Sequence, residues 1–207
     1  MFDMRVYIDG QNFLYKASEI LINANKITSK DELIKIDIRG VIEHIFETDI
    51  DIVFYGARVK VRKDMGEAIR EKTTRFSDVS RRIRNTQSSQ NIAFNDAGRL
   101  KIRDSDACKK CGHQDLRMQE KGVDVGIAVD IVSDVLRKNV DHIVLVSSDT
   151  DLLPAIRVAK DIGVKITYLG FSDKTTKAIV ALADTTEIIR DSEIIKAFED
   201  LNADVHE

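Results

Sequence analysis

Four aspartates stand where a chain can gather acids for chemistry. Asp9 follows the short β-prone run Arg5-Val6-Tyr7-Ile8, Asp149 and Asp151 follow the apolar run Ile143-Val144-Leu145-Val146 within SSDTDLLP, and Asp124 falls in the first turn of a helix starting near Val123. In a parallel α/β sheet the carboxyl ends of the strands host chemistry, above all where strand order reverses. Acids from three distant stretches can therefore meet. Like charges a few ångströms apart raise one another's pKa values and destabilise the folded state, and a divalent cation removes that conflict. Oxygen ligation by Asp suits Mg2+ or Mn2+, which bind through a few carboxylates and keep waters for a substrate phosphate. Two such ions about 4 Å apart activate a water and stabilise the leaving oxygen of a phosphodiester. The acids point to phosphoryl transfer.

Each acid also has a plain local use. Asp151, just before Leu152-Leu153-Pro154, fits a helix N-cap with proline near the first turn. Asp9 before Gly10 fits a turn, and Asp124 suits the positive end of a helix dipole. Capping does not require the joint placement, which is what favours a site. Asp130 lies six residues beyond Asp124, about 240° around a helix, so it is read as supporting or structural. Ser147 and Ser148 can hydrogen-bond the acids or a phosphate, or serve only as turn residues.

The elements that would hold these residues alternate. Apolar spacing predicts helices over 13–24, about 31–47, 64–84, 122–137, 152–162 and 174–183, and strands over 52–57, 141–147, 164–169 and 187–189 besides the first. The polar stretch 85–91 breaks the pattern, and NDAG at 95–98 reads as a hairpin turn between 92–94 and 99–102. Apolar strands joined through amphipathic helices imply an α/β fold with a mainly parallel sheet covered on both faces. Residues 1–207 read as a single domain, with 85–121 an insertion or flap.

Three blocks carry a family resemblance: VYIDGQNFLY (6–15), KGVDVGIAVDIV (121–132) and IVLVSSDTDLLPAIRVAKDIGVKITYLGF (143–171). In order and spacing they resemble NYN-domain proteins of the LabA/DUF88 type, relatives of PIN-domain nucleases. The resemblance implies a three-layer α/β/α PIN-like, Rossmannoid fold and a metal-dependent ribonuclease acting on RNA. It makes Asp9, Asp124, Asp149 and, less directly, Asp151 the metal-site acids, and Asn12 the polar residue that orients the site or the scissile phosphate. Family members often have glycine where this chain has Ser148, a change that costs little unless the backbone needs positive φ.

Net charge is only −3, from 32 basic and 35 acidic residues, so no global basic field advertises nucleic-acid coating and any such contact must be local. Arg58 and Lys60 alternate with Val59 and Val61 at a strand end, and Lys121 neighbours Asp124; with Ser148 they are the candidates to meet a phosphate backbone. A solvated charged face explains most such runs. Tyr15, Tyr55 and Phe171 can stack bases, although core packing is the commoner use of the two tyrosines. Cys108, Cys111 and His113 offer three ligands at C-x2-C-x-H spacing. Zinc prefers four, so a structural Zn2+ completed by His44, His142, Asp106 or a second subunit of a homo-oligomer stands beside a redox pair or an unliganded turn.

No apolar stretch reaches the roughly 18–20 residues needed to span a bilayer, and the start of the chain lacks the layout of a signal peptide. A cytoplasmic protein without a membrane partner is expected. A non-catalytic RNA- or protein-binding module is the main alternative to a nuclease. Toprim-like or haloacid-dehalogenase-like phosphotransfer, suggested by D-x-D at 149–151, lacks the matching first block, and no G-x-G-x-x-G follows a strand to bind a dinucleotide.

Overall fold

The structure, a computed structural model, describes residues 4–33, 35–46, 50–61, 66–104, 110–112, 116–172 and 175–203. The chain runs β1 (Met4–Asp9), α1 (Gly10–Asn23), α2 (Ile38–Phe46), β2 (Asp51–Val59), α3 (Glu67–Ser89), β3 (Ala93–Asp104), β4 (Leu116–Lys121), α4 (Val123–Leu136), β5 (His142–Val146), α5 (Leu153–Asp161), β6 (Lys165–Phe171), α6 (Lys177–Val180), β7 (Thr185–Ile189) and α7 (Asp191–Asn202). The strands form one seven-stranded sheet in the order β4-β3-β2-β1-β5-β6-β7. All pairs are parallel except β3 with β4. The mainly parallel α/β architecture expected from the sequence is present.

Alternation along the central strands explains the layering. Val6 and Ile8 of β1, with Val144 and Val146 of β5, join Phe13, Leu21, Ile42 and Ile194 on one face. Tyr7, Ile143 and Leu145 point the other way and pack with Ile127 and Ile131 of α4 and Ile156 of α5. Both faces are buried, as period-two side chains between two helical layers require. From central β1 the order runs outward to β2 on one side and β5 on the other, so strand order reverses there and a crevice opens at the carboxyl end of β1. Among the described residues no helix is long and apolar enough to cross a membrane.

Several local expectations are corrected. NDAG is not a hairpin turn: Tyr55 and Ala57 of β2 pair with Asn95 and Gly98, so β3 continues through it and absorbs one extra residue as a bulge. The hairpin is β3–β4, and 93–104 and 116–121 are strands of the sheet itself. The stretch 85–91 stays helical to Ser89, with the Thr86 and Ser89 hydroxyls donating to the carbonyls of Arg82 and Thr86 within the helix; Asn91, at φ 55°, follows its end. The helix expected over 31–47 begins only at Ile38, where the Gly40 N–H donates to the capping carboxylate of Asp37 at 2.9 Å. The helix expected over 174–183 shrinks to Lys177–Val180, and α7, which the sequence reading omitted, buries Ile194 and Ala197 against the first face.

Candidate active site

Asp9 ends β1 and caps α1, and it is 7% exposed. Its carboxylate accepts from the Asn12 N–H at 3.1 Å and from the Ser147 hydroxyl at 3.0 Å. The next residue, Gly10, sets α1 against β2 so closely that a Cβ there would lie 2.2 Å from the Phe54 ring and 2.5 Å from the Tyr55 carbonyl. The absence of a side chain at 10 therefore holds Asp9 at the crevice.

Asp149 follows β5 and caps a 3-10 turn, accepting from the Asp151 N–H at 2.8 Å. Its own N–H donates to the Ser147 hydroxyl at 3.1 Å, so buried Ser147 bridges the two acids by donating to one and accepting from the backbone of the other. Asn12 donates to the Ser148 hydroxyl at 2.6 Å, and the Ser148 carbonyl accepts from Thr176 at 3.0 Å. These bonds tie the segment after β5 to α1 and to the segment after β6. Ser148 is not among the non-glycine residues with positive φ, so serine in place of glycine carries no backbone strain here. The capping expectation is corrected: Asp149 is the capping residue, while Asp151 lies inside the turn with its side chain exposed.

Asp124 arrives from the other side. Gly122, at φ 92°, turns the chain sharply from β4 into α4, a left-handed conformation that favours glycine, and Asp124 occupies the first helical turn. Asp9, Asn12, Glu120, Lys121, Asp124 and Asp149 thus line one cleft of about 480 Å3. Arg58 and Lys60 are exposed, and of the three candidate cations Lys121 alone is among the lining residues.

Glu120 was not foreseen. It stands at the same parity as Leu116 and Met118 along β4, and that weak period-two pattern is its one signal in the sequence. Burial pushes its carboxyl up to about 7, and Asp9 and Asp124 add to the shift. Burial also raises Asp9, with a smaller push from Asp149. Asp124 is raised by burial, then by Asp149 and Asp9. The acids repel one another in a low-dielectric cleft, the condition that a divalent cation relieves. Among the described residues no three His, Cys, Asp or Glu side chains form a ready-made metal cage. The donor set still fits a hard cation, since Mg2+ takes one or two carboxylates and fills its remaining positions with water and substrate oxygens. Asp9, Asp149 and Asp124 are the residues that could hold it.

The remaining sequence candidates fall elsewhere. Asp130 accepts from the Tyr55 hydroxyl at 2.9 Å and from the Asn95 amide at 2.8 Å, so it fastens α4 to β2 and β3. Tyr55 and Phe171 are core residues, whereas Tyr15 is 48% exposed at the edge of the cleft. Cys108 and His113 lie outside the described residues, and Cys111 is exposed.

Comparison with known proteins bears on the fold and the family. A solved structure of a protein of unknown function from Vibrio parahaemolyticus superposes with a TM-score of 0.50, covering 91% of this chain and 93% of that one at 19% identity, a likeness of fold alone. An uncharacterized protein of Methanocaldococcus jannaschii is 42% identical over 62 residues, 30% of this chain and about a quarter (26%) of that protein. The family model for the NYN domain matches residues 3–190, spanning every strand of the sheet and all the acids of the cleft. The chain belongs to the NYN domain family, within the PIN-like nuclease superfamily.

Proposed function

We propose that the chain is a metal-dependent ribonuclease of the LabA/DUF88 type, hydrolysing RNA phosphodiester bonds with Mg2+ or Mn2+ held by Asp9, Asp124 and Asp149, with Asp151 at the rim. The observation that carries the reading is the meeting of Asp9, Glu120, Asp124 and Asp149 in one cleft at the carboxyl ends of β1 and β5. When bound, the ion supplies water activation and charge neutralisation at the phosphate. Ser147 holds the Asp9 carboxylate and the Asp149 backbone in fixed relation, while Asn12 pins Ser148 and with it the β5 loop. Lys121 offers a cation to the approaching phosphate.

Single-stranded RNA incubated with Mn2+ tests this. Asp9→Asn and Asp149→Asn, shown to be folded by circular dichroism, should lose at least about a hundredfold in cleavage rate, the scale on which removing charge stabilisation at a reacting centre acts. Wild-type rates in both variants would defeat the assignment.

A second reading, a non-catalytic RNA- or protein-binding module, is favoured by the Asp9 carboxylate already accepting from the Asn12 N–H and the Ser147 hydroxyl. Calorimetry separates the two, because a module without a working site binds no Mn2+ in a carboxylate-dependent way.

A further inference from the structure

Beside the acidic cleft lies a second hollow of about 280 Å3, set between α1 and α3 over β2 and β3. Its walls are mainly apolar, with Leu14 from α1, Phe54 from β2, and Phe76 and Val79 from α3. Three residues, Gln11, Tyr15 and Glu120, line both the hollow and the cleft, so the two form one continuous depression. Tyr15 stands on the divide. It is half exposed, unlike the tyrosines of the sheet, and the Lys30 ammonium sits 3.4 Å from its ring centroid.

Apolar side chains left facing an open hollow forgo burial worth about 25 cal/mol for each Å2. A concave, mostly apolar recess with a few convergent polar groups is the ordinary form of a small-ligand site. Continuity with the acidic cleft selects the ligand. A chain whose phosphate lies among Asp9, Asp124 and Asp149 must send the attached nucleoside to one side, and this hollow offers an aromatic ring, a cation and the Gln11 amide there. We propose that the hollow receives a nucleobase of the RNA strand being cleaved, stacked on the face of Tyr15 opposite Lys30, with Gln11 bonding its edge. The inference rests on the nuclease reading for the identity of the strand. Aromatic stacking tolerates any base, whereas the single amide at the rim supplies a mild preference among them.

The test uses binding and requires no catalysis. A single-stranded RNA octamer carrying one 2-aminopurine is titrated with the 207-residue chain in Mn2+ at 0 °C, and its fluorescence is followed. Wild type and Tyr15→Phe should quench the probe on binding. Tyr15→Ala should leave it bright and bind about tenfold more weakly, and Val79→Trp, whose indole fills the hollow, should do the same. Tyr15 is exposed enough for its variants to fold, and melting curves check Val79→Trp. No quench by wild type, or undiminished quench by both Tyr15→Ala and Val79→Trp, overturns the proposal. A dimer of wild type that Val79→Trp dissolves would overturn it too, by giving the hollow to a second copy of the chain. Failure of the nuclease reading shows separately, as RNA that is bound and quenched yet never cut.

Discussion

Two groups of acids meet around α4, and they are built on opposite terms. Asp130 and Asp134 come with partners: Tyr55 and Asn95 donate to the first, while Tyr7 donates to the second at 2.8 Å and Arg5 at 2.6 Å. Arg5 also bonds Asp51 at 2.5 Å, so one guanidinium bridges β1, β2 and α4. Asp9, Glu120, Asp124 and Asp149 instead face one another, and burial with mutual repulsion raises the first three. A fold built for stability alone pairs its buried charges or leaves them out. The cleft sets four acids against one lysine, Lys121, an excess of negative charge that a bound cation would relieve.

Breaking the paired group should cost stability. Asp134→Ala leaves the Tyr7 hydroxyl without its acceptor and Arg5 with Asp51 alone, and should lower the unfolding free energy by about 2–4 kcal/mol, less than a fully buried pair would lose because Arg5 keeps one carboxylate and is partly solvated; urea denaturation measures it. Asp130→Ala leaves the Tyr55 hydroxyl and the Asn95 amide without their acceptor and should cost about 1–3 kcal/mol in the same assay.

Breaking the unpaired group should do the reverse. The Glu120 carboxyl titrates near 7 in the folded state, against an ordinary 4.5, so the folded chain holds that proton more tightly than the unfolded one. The resulting penalty is absent below about pH 4.5, grows as pH rises from there through 7, and is fully present above. Without divalent ions, Glu120→Gln should therefore stabilise the protein by on the order of 1–2 kcal/mol at pH 8, a figure reduced for solvent screening of a partly exposed side chain. At pH 4.5 the gain should vanish. Equal melting temperatures for the two proteins at pH 8 would place Glu120 in ordinary solvent.

The same contrast explains what the sequence could disclose. Asp9, Asp124 and Asp149 sit directly beyond apolar strands or at a helix start, where the elements that position them announce themselves. Glu120 sits on a strand with little apolar content, so its shared parity with Leu116 and Met118 carries too little signal. NDAG misled because a bulge and a hairpin turn use the same small polar residues, and only the register against Tyr55 and Ala57 separates them. Asp151 drew the capping role from its place before Leu152-Leu153-Pro154, yet a 3-10 turn precedes α5, and the residue two positions earlier caps it. Partnerships such as Asp134 with Arg5, 129 residues apart, leave no local trace in the chain. They exist only once β1 and α4 are packed.

The claim that the unpaired acids are a cation site is tested most directly by a crystal structure of the protein soaked in Mn2+, with anomalous scattering locating the ion. The account predicts an anomalous peak in the cleft coordinated by Asp9 with Asp149 or Asp124, and its loss in crystals of Asp9→Asn. Manganese bound only elsewhere on the molecule, or an Asp9→Asn crystal with the peak undiminished, would contradict it.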